Sequence, residues 1–420
     1  MKNNILLGIT VVMLLLGCTL PVAASDSTLG IFGNANEDDT IDIQDVTKTE
    51  LIILKYSNKT ELADAKYDDK INIQDVTQTE LIILGQEKEL TIIDEADRIV
   101  TVHKPVGRVI TLGGYDAEIM WLIGAQDKIV GIANWMAEKS YYDMCMPGLT
   151  KLPTVGSGKA IDYETVITLN PDLVITWHYY AATIDEKIPK SMPVTSFDLF
   201  VPESLTEGVV KFGYIFGKRD AAEHYIDDFH DKHIDFIKVR TEELSEEERP
   251  KVYLERHDMP YKTYGSDSYA HQGIHIAGGK NIFADVEAGQ FVADAEDVVM
   301  KNPDIIIKYA STGGLETGYD IDDASKAKAM RDEIMSRPEL AEVNAVKEGR
   351  VYIMNMGLNC GPGYPIANAY WAKWFQPELF VDLDPNAIHK EYLSSQGIEF
   401  NLDEHGVFVY HPEEHPCVIG

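Results

Sequence analysis

The fold class can be inferred from one stretch, Tyr163-Glu-Thr-Val-Ile-Thr-Leu-Asn-Pro-Asp-Leu-Val-Ile-Thr-Trp177, because its pattern recurs at Ala295-Glu-Asp-Val-Val-Met-Lys-Asn-Pro-Asp-Ile-Ile-Ile-Lys-Tyr309. Each copy places apolar residues at helical spacing and then Asn-Pro-Asp before a short aliphatic run. Proline cannot continue a helix and favours extended backbone before it, so each copy predicts a helix, a tight turn and a buried parallel strand. Two such units predict two similar α/β lobes. Each lobe places an aromatic residue at the carboxyl end of its strand, where open α/β sheets bind ligands.

The segments around the two copies alternate between strand and helix patterns, which is typical of parallel sheets. A proline-free stretch with helical spacing, residues 203–247, joins the two groups, and Gly217 predicts a break near its middle. The sequence therefore predicts an α/β fold of two Rossmann-like lobes, residues 89–202 and 248–381, joined by a long helix. The predicted strands are Leu90–Asp94, Ile99–Val102, Arg108–Leu112, Ile129–Ile132, Asp172–Thr176, Pro193–Phe197, Lys251–Glu255, Asp304–Lys308 and Arg350–Met354.

Length, charge and cysteine usage exclude some classes of function. A chain of 420 residues is too long for one ordinary core, so two or three domains are expected. The formal net charge of −32 argues against nucleic acid as a partner, because the phosphate backbone would be repelled. Cys145, Cys360 and Cys417 are too scattered for a disulfide framework or a structural zinc site.

The first residues have the pattern of a signal peptide, residues 1–24. Lys2 supplies the positive end, and the apolar run from Ile5 to Leu16 is too short for a comfortable membrane span. Leu15-Leu-Gly-Cys18 resembles a lipobox, which predicts lipidation of Cys18 and anchoring on the outer face of the cell membrane. Cleavage after Val22-Ala-Ala24, giving a secreted protein, is the alternative.

A second duplication, with a period of thirty residues, occupies residues 30–88. Oxygen-bearing side chains stand at positions 1, 3, 5, 9 and 12 of a twelve-residue loop, with a backbone carbonyl at position 7, and the second copy matches the first except at position 3. This spacing wraps oxygens around Ca²⁺ and predicts two calcium loops, each followed by an apolar helix. The predicted ligands are Asn34, Asn36, Asp38, Thr40, Asp42 and Asp45 in the first loop, and Asp64, Asp68, Lys70, Asn72 and Asp75 in the second.

The duplicated loops resemble a type I dockerin from about Phe32 to Leu84. The resemblance implies a small all-α calcium-binding domain that docks onto a cohesin-domain protein. Two features depart from the family pattern. Lys66 stands at position 3 of the second loop, where the family uses Asn or Asp, so this loop is expected to bind calcium more weakly or to hold no cation. Asp39 and Asp69 replace the usual Gly at position 6, which favours positive φ.

Residues 90 to 385 resemble the class III substrate-binding proteins of ABC importers, which serve the uptake of iron–siderophore complexes, haem and cobalamin. The resemblance is carried by Arg108-Val-Ile-Thr-Leu followed by Glu118-Ile, by Leu122-Ile-Gly-Ala-Gln-Asp-Lys-Ile-Val-Gly, and by both Asn-Pro-Asp units. It implies a permease and its ATPase as partners and no catalytic cofactor. In this family a Glu on each lobe pairs with arginines of the permease, and Glu164 and Glu296 match those positions.

Aromatic and polar residues just past predicted strand ends are the candidates for the ligand site. Arg256 suits an anionic group on the ligand, and His178, His257 or Tyr179 suits direct iron ligation. An iron–siderophore complex or cobalamin is expected, with haem ranked below both. The candidates are Tyr115, Trp135, Ser157, Trp177, His178 and Tyr179 in the first lobe, and Arg256, His257, Tyr269, Tyr309 and Asn355 in the second.

The remaining segment, residues 382–420, predicts a structured surface extension, with metal binding by His389, His405, His411 and His415 as the lesser alternative. The leading hypothesis for the whole chain is a non-enzymatic solute receptor. The rival is a dockerin-bearing component assembled onto a cohesin scaffold, and a third is an adhesion module with a vestigial two-lobed fold. No Gly-x-Ser-x-Gly elbow, His-Glu-x-x-His helix or phosphate loop supports an enzyme of those kinds.

Overall fold

The computed structural model describes residues 28–412 except 201 and 312–315. The predicted signal peptide with Cys18 lies outside the described residues, as do His415 and Cys417. The chain divides into two compact units, one ending at Glu87 and the other beginning at Lys88. Within the described ranges, no helix combines the length and the apolar character needed to cross a membrane.

The N-terminal unit contains two loops, each followed by a helix: α1, Ile43–Ile53, and α2, Ile73–Leu84. Each helix begins with a capping box, in which the side chains of the N-cap residue and of the aspartate three positions later accept backbone N–H groups. The two helices pack against each other. Val46 and Ile52 of α1 and Val76 and Ile82 of α2 are buried, whereas Leu51 is 38% exposed.

The N-terminal lobe is built on a parallel sheet preceded by an antiparallel strand pair. Its strands are β1 Glu89–Ile93, β2 Ile99–His103, β3 Val109–Thr111, β4 Ile129–Ile132, β5 Gly156–Ser157, β6 Ala160–Ile161, β7 Leu173–Thr176 and β8 Val194–Ser196. Its helices are α3 Gly114–Leu122, α4 Asn134–Ala137, α5 Ser140–Cys145, α6 Tyr163–Leu169 and α7 His178–Asp185. The parallel sheet has the order β4-β3-β7-β8. The connections leaving β3 and β7 run to opposite sides, so a ligand crevice is expected at their carboxyl ends.

The connection between the lobes is helical, as the sequence predicts, but it is not one long helix. It consists of α8, Pro202–Phe216, α9, Arg219–Tyr225, and α10, Lys232–Thr241. Gly217 separates α8 from α9 at a φ of +65°, a conformation that glycine adopts without steric cost. A π-helical turn, Ile226–Asp231, separates α9 from α10.

The C-terminal lobe repeats this architecture with one extra edge strand. Its strands are β9 Lys251–Glu255, β10 Lys262–Tyr264, β11 Lys280–Asn281, β12 Gln290–Val292, β13 Ile305–Ala310, β14 Val351–Asn355 and β15 Val409–Tyr410. Its helices are α11 Tyr269–Ile276, α12 Ala295–Lys301, α13 Ser325–Met335, α14 Asn344–Lys347, α15 Tyr364–Phe375 and α16 Pro385–Ser395. The sheet order is β11-β9-β13-β14-β15, in which only β15 is antiparallel to its neighbour.

The segment that follows residue 382 is packed into this lobe rather than lying on its surface. Helix α16 contacts α15 and buries Ile388, Tyr392 and Leu393, three residues that share one helical face. Strand β15 then pairs with β14 at the edge of the sheet. The segment predicted as an extension therefore completes the sheet and the helical layer of the lobe.

The repeated motif has the same backbone in both lobes. Helices α6 and α12 end at Asn170 and Asn302, whose φ angles of 44° and 46° are left-handed. The aspartate after each proline then ties the motif to the preceding strand. Asp172 accepts the backbone N–H groups of residues 107 and 108, and Asp304 accepts that of Lys251. Asn-Pro-Asp thus ends the helix and fixes the start of the next strand.

Candidate ligand-binding site

A cavity of about 560 Å³ lies between the two lobes, a size common for small-molecule sites. Its wall combines the ends of N-terminal-lobe strands, two loops of the C-terminal lobe, and α16 with the chain that follows it. The residues that shape it are Tyr115, Glu118, Trp135, Tyr141, Tyr142, Cys145, Trp177, Thr317, Tyr319, Asn355, His389, Tyr392 and Phe408.

The first lobe supplies aromatic side chains from the predicted crevice. Tyr115 follows β3, and Trp177 follows β7, so both stand where the connections of these two strands diverge. Trp135 of α4 packs edge-on against Tyr142, with ring centroids 5.8 Å apart. Tyr115 also lies so close to the backbone of Gly361 that a Cβ there would fall 2.4 Å from the ring. Glycine at this position therefore allows the lobes to approach each other closely.

The second lobe contributes loops whose polar groups hold one another. Asn355, at the end of β14, donates from Nδ2 to Thr317 Oγ1 at 2.9 Å and accepts the Gly357 N–H at 2.8 Å. The amide of Asn355 therefore fixes the wall of the cavity, and both ends of that amide are already hydrogen-bonded. The adjacent Tyr319 hydroxyl and His389 Nε2 lie 2.8 Å apart.

Glu118 is one of three acidic residues among those that line the cavity. It projects from α3 into the cavity, and Tyr392 of α16 donates a hydrogen bond to its Oε1. Burial raises the pKa of Glu118 to about 7, although the Tyr392 hydroxyl opposes the shift. A carboxyl group that ionises near neutral pH therefore faces the cavity.

The tyrosine, cysteine and histidine side chains that line the cavity with Glu118 are neutral near pH 7. Burial raises the pKa values of Tyr115, Tyr142 and Tyr319 well above the usual value. Burial, with the Glu118 and Asp320 carboxylates, raises the pKa of Cys145 to about 12. Burial lowers the pKa of His389 to about 3, so its imidazole is uncharged. The charge of this wall therefore comes from acidic residues and one lysine, Lys139.

The structure brings four predicted ligand residues together at the cavity: Tyr115, Trp135, Trp177 and Asn355. Tyr269 instead lines a separate recess of about 320 Å³ beside Phe200 and Tyr264. An aromatic chain links the two hollows, because the Trp177 and Phe200 centroids are 5.5 Å apart and those of Phe200 and Tyr269 are 6.2 Å apart.

Tyr309 is fully buried inside β13 and is not among the residues that line the cavity. Strand β13 continues to Ala310, whereas β7 stops at Thr176, so the matching motif positions fall inside one strand and just beyond the other. The Asn359 side chain donates to the Tyr309 hydroxyl. The aromatic at the end of the second copy therefore belongs to the core.

The other predicted ligand residues lie away from the cavity wall. Arg256 donates to Asp258 at 2.8 Å and to Gln290 at 2.7 Å, and burial lowers the pKa of its neighbour His257. His178 Nδ1 contacts the Asp198 carboxylate at 2.6 Å. Tyr179 is 55% exposed, and Ser157 belongs to the β5–β6 pair. Arg256 and His178 were expected to contact the ligand, but they are paired with Asp258 and Asp198 instead.

Sequence reasoning missed Glu118, the α5 tyrosines and the α16 residues as parts of one wall. Two signals were available in the sequence. Glu118 is an acid flanked by apolar residues in a short helix, and Ser-Tyr-Tyr-Asp-Met-Cys145 places two tyrosines shortly after Trp135. His389 and Tyr392 lie on one helical face, but nothing in their spacing indicates that α16 faces the first lobe.

The two candidate docking residues occupy equivalent, exposed places. Glu164 lies in the first turn of α6 and Glu296 in the first turn of α12. Both are exposed. Each follows an aspartate N-cap, Asp162 or Asp294, so both helix starts are strongly acidic.

The predicted calcium loops present carboxylates around buried aspartates. Asp45 accepts the N–H groups of Asn36 and Asp42, and Asp75 accepts those of Lys66 and Asn72. Asp69 has a φ of 66°, but Asp39 is not among the described residues with positive φ. Over the described ranges, no three His, Cys, Asp or Glu side chains are arranged to hold a metal ion. The fit of a cation therefore depends on the amide and backbone oxygens of the loops.

A two-lobed α/β structure with an aromatic cavity at the strand ends defines a solute-binding protein. The family model for periplasmic binding proteins matches residues 109–356. The chain belongs to this family and is an extracytoplasmic substrate-binding protein of the ABC-importer kind.

Known proteins of this kind are similar over most of the second unit. The ABC transporter substrate-binding lipoprotein YvrC of Bacillus subtilis is 27% identical over 269 residues, covering 63% of this chain and 77% of the relative. The vitamin B12-binding protein of Vibrio cholerae is 22% identical over 253 residues, with coverages of 60% and 82%. The crystal structure of the TroA-like periplasmic binding protein FepB from Veillonella parvula superposes with a TM-score of 0.63 and 24% identity, covering 76% and 99%.

Proposed function

We propose that this protein is a non-enzymatic receptor that captures an iron complex of the siderophore type, or cobalamin, and delivers it to an ABC permease. The observation that carries the proposal is the aromatic cavity of about 560 Å³ at the strand ends of the first lobe, closed by loops of the second. Rings such as Trp135 and Trp177 offer flat apolar faces to a bulky organic ligand, while few polar groups orient it. Haem remains a lower-ranked ligand.

Fluorescence titration of the full chain tests this proposal. Trp135 and Trp177 line the cavity, so ferric siderophores, corrinoids or haem should quench tryptophan emission on binding. Trp135→Phe and Trp177→Phe in one chain should remove most of the signal, while a radiolabelled ligand still measures affinity. The absence of binding by every member of such a panel would contradict the receptor proposal.

We further propose that Glu164 and Glu296 dock the two lobes onto arginines of the permease. Their exposure and equivalent positions in α6 and α12 support this role. Glu164→Lys with Glu296→Lys should abolish uptake by cells and leave ligand affinity unchanged. Asp297→Lys, an exposed acid next to Glu296, is the matched control and should keep most uptake. A loss of affinity in the double variant would assign the two residues to the ligand site instead.

We propose in addition that the first loop of the N-terminal unit binds calcium. Asn34 is fully buried, and its Oδ1 has no hydrogen-bond partner. Burial, with the nearby Asp38 and Asp42, raises the pKa of Asp45 to about 6, so a cation would relieve this repulsion. Asn34, Asp38 and Asp45 would hold the ion, together with the other oxygens of the loop. Lys66 makes the second loop the weaker site.

Hydrogen exchange of the full chain, with calcium or with chelator, tests the calcium proposal. Calcium should protect the backbone of residues 30–56, and Asp45→Asn should remove that protection. Asp75→Asn is the matched variant in the second loop and should leave residues 30–56 protected. Equal exchange with and without chelator would show that the loops are turns that bind no calcium.

We also propose a cohesin-domain protein as the partner of the calcium-bound N-terminal unit. Binding to purified cohesins, measured with and without chelator, tests this proposal.

The lipid anchor at Cys18 also stays a proposal. YvrC is named as a lipoprotein, and the Leu-Leu-Gly-Cys18 pattern of this chain supports the same anchoring. Metabolic labelling with a palmitate analogue tests it: wild type should incorporate the label, and Cys18→Ala should not.

A further inference from the structure

The walls of the cavity carry more acidic than basic side chains. Glu118, Glu138 and Asp320 face it with one cation, Lys139, and no arginine is among the described residues that line it. Arg256, the cation that the sequence assigned to an anionic ligand group, donates to Asp258 and Gln290 and stands outside this wall. The cavity therefore offers an anionic ligand little compensation for the water that it must lose.

Glu118 has a free acceptor aimed at the space that a ligand would fill. Tyr392 donates to Oε1, and Oε2 accepts no hydrogen bond from any described side chain or backbone group. His389 supplies no positive charge here, because it is buried and neutral, so Lys139 is the cation on the described part of this wall. A cation or an N–H donor on the ligand would satisfy this oxygen, and a ligand carboxylate or phenolate would not.

Aromatic rings form much of the remaining surface of the cavity. Trp135, Trp177, Tyr142 and Phe408 present rings to it, and Trp177 connects through Phe200 to the second recess. These rings can stack on a planar or macrocyclic ligand body and can also attract a cation through their faces. The acidic oxygen and the aromatic faces thus favour the same kind of ligand.

We propose that this cavity selects ligands that present a cationic or N–H-rich group to Glu118 and an organic face to the aromatic wall, and that it rejects anionic complexes. This inference rests on the proposed receptor function and narrows its substrate class. Among iron complexes it selects those with a pendant ammonium group, and among corrinoids it selects amidated, positively charged forms. Anionic ferric catecholates fall outside the class.

Matched probes that differ in charge but share a core test the inference. Ferrioxamine B carries a free ammonium group, and its N-acetyl derivative is neutral. Cobinamide carries amide side chains, and cobyrinic acid carries carboxylates in their place. We expect the cationic or amidated member of at least one pair to bind about tenfold more tightly than its counterpart. Ferric enterobactin, a trianionic catecholate complex, should give no quenching at the same concentrations.

Glu118→Gln should remove this preference while retaining the shape of the cavity. Glu243→Gln, on the exposed surface of the segment after α10, is the matched control and should keep it. Tyr392→Phe leaves the carboxylate but removes the hydroxyl that opposes the rise in its pKa, so the preference should persist above about pH 8. If Glu118→Gln fails to fold, a Tyr392→Phe chain that loses the preference even at that pH would overturn the assignment to Glu118.

The pH dependence separates a charge effect from a shape effect. The groups around Glu118 keep their protons near neutral pH, since burial raises the pKa of each above its usual value: Tyr141, Tyr142, Cys145, Tyr225, Tyr319 and Tyr392. Burial lowers the pKa of Lys139, which stands on the same wall with Glu138 and Asp320. Because Glu118 ionises near pH 7, affinity for ferrioxamine B should rise between about pH 6 and about pH 8. Affinity for the N-acetyl derivative should stay level.

The outcomes distinguish this inference from the receptor function. Binding without a charge preference, or a preference for the anionic members, would overturn the inference and leave the receptor function intact. A preference that survives Glu118→Gln would overturn the role of Glu118. No binding by any probe in the panel would overturn both.

Discussion

The two copies of the repeated motif have the same backbone conformation, but their last side chains lie in different surroundings. Trp177 stands just beyond β7 and lines the cavity, whereas Tyr309 stands inside β13 and is fully buried. The residue before each aromatic also differs between the two copies. Thr176 is neutral, while Lys308 forms an ion pair of 2.9 Å with the buried Glu255. The first copy thus serves the ligand site and the second serves the core of its lobe.

This difference shows that a repeated sequence fixes the path of the chain more firmly than the surroundings of its side chains. A strand longer by two residues converts an aromatic from cavity wall to core. The second lobe then builds its part of the wall from loops near Thr317 and Asn355 and from α16. The symmetry of the fold therefore does not extend to the ligand site.

The largest expected contrast comes from removing each aromatic in turn. Tyr309→Ala should lower the free energy of unfolding by about 4 kcal/mol, because a fully buried ring leaves a cavity. Trp177→Ala, at a half-buried position, should cost only about 1 kcal/mol in stability but reduce ligand affinity about tenfold. Urea unfolding and equilibrium dialysis measure the two effects. Similar stability losses would show that both rings serve the core.

A smaller difference in stability is expected between substitutions of Lys308 and Thr176, the residues that precede the two aromatics. Lys308→Thr copies the first motif into the second and leaves Glu255 with Arg337, whose Nη1 lies 2.6 Å from the carboxylate. Removal of one partner from a buried charge cluster should destabilise the protein by about 3 kcal/mol at neutral pH. Thr176→Val is the matched control in the first lobe, and a change of less than about 1 kcal/mol is expected.

Low pH should reduce the difference in stability between wild type and Lys308→Thr. Arg337 and Lys308 outweigh the effect of burial and hold the pKa of Glu255 below its usual value. A depressed carboxyl pKa contributes stability above the unfolded-state pKa, and that stability is lost as pH falls through the folded-state pKa. The difference between wild type and Lys308→Thr should therefore shrink in acid. A difference that stays constant down to the folded-state pKa would mean that packing, not charge, accounts for the effect.

Much of the fold follows from the sequence because its signals are local. Asn-Pro-Asp, Gly217 and the aliphatic runs predict turns, a break and strands that the structure contains. The site depends on contacts between distant segments, which local patterns do not reveal. Glu118 meets Tyr392 only because α16 packs across the lobes, 274 positions later in the chain. Trp177 was predictable from its strand end, whereas the burial of Tyr309 depends on where β13 ends.

The smallest contrast concerns the asparagine that ends each motif helix. Asn170 and Asn302 both adopt left-handed backbone, which glycine occupies at lower cost. Asn302 Oδ1 also accepts the backbone N–H of Asn344 at 2.9 Å, while Asn170 is exposed. Asn170→Gly should therefore change stability by less than about 0.5 kcal/mol, and Asn302→Gly should cost about 1 kcal/mol through the lost hydrogen bond. Urea unfolding of both variants measures the difference. If Asn302→Gly proved as neutral as Asn170→Gly, the link to Asn344 would contribute nothing, and the two helix ends would be equivalent in energy as well as in shape.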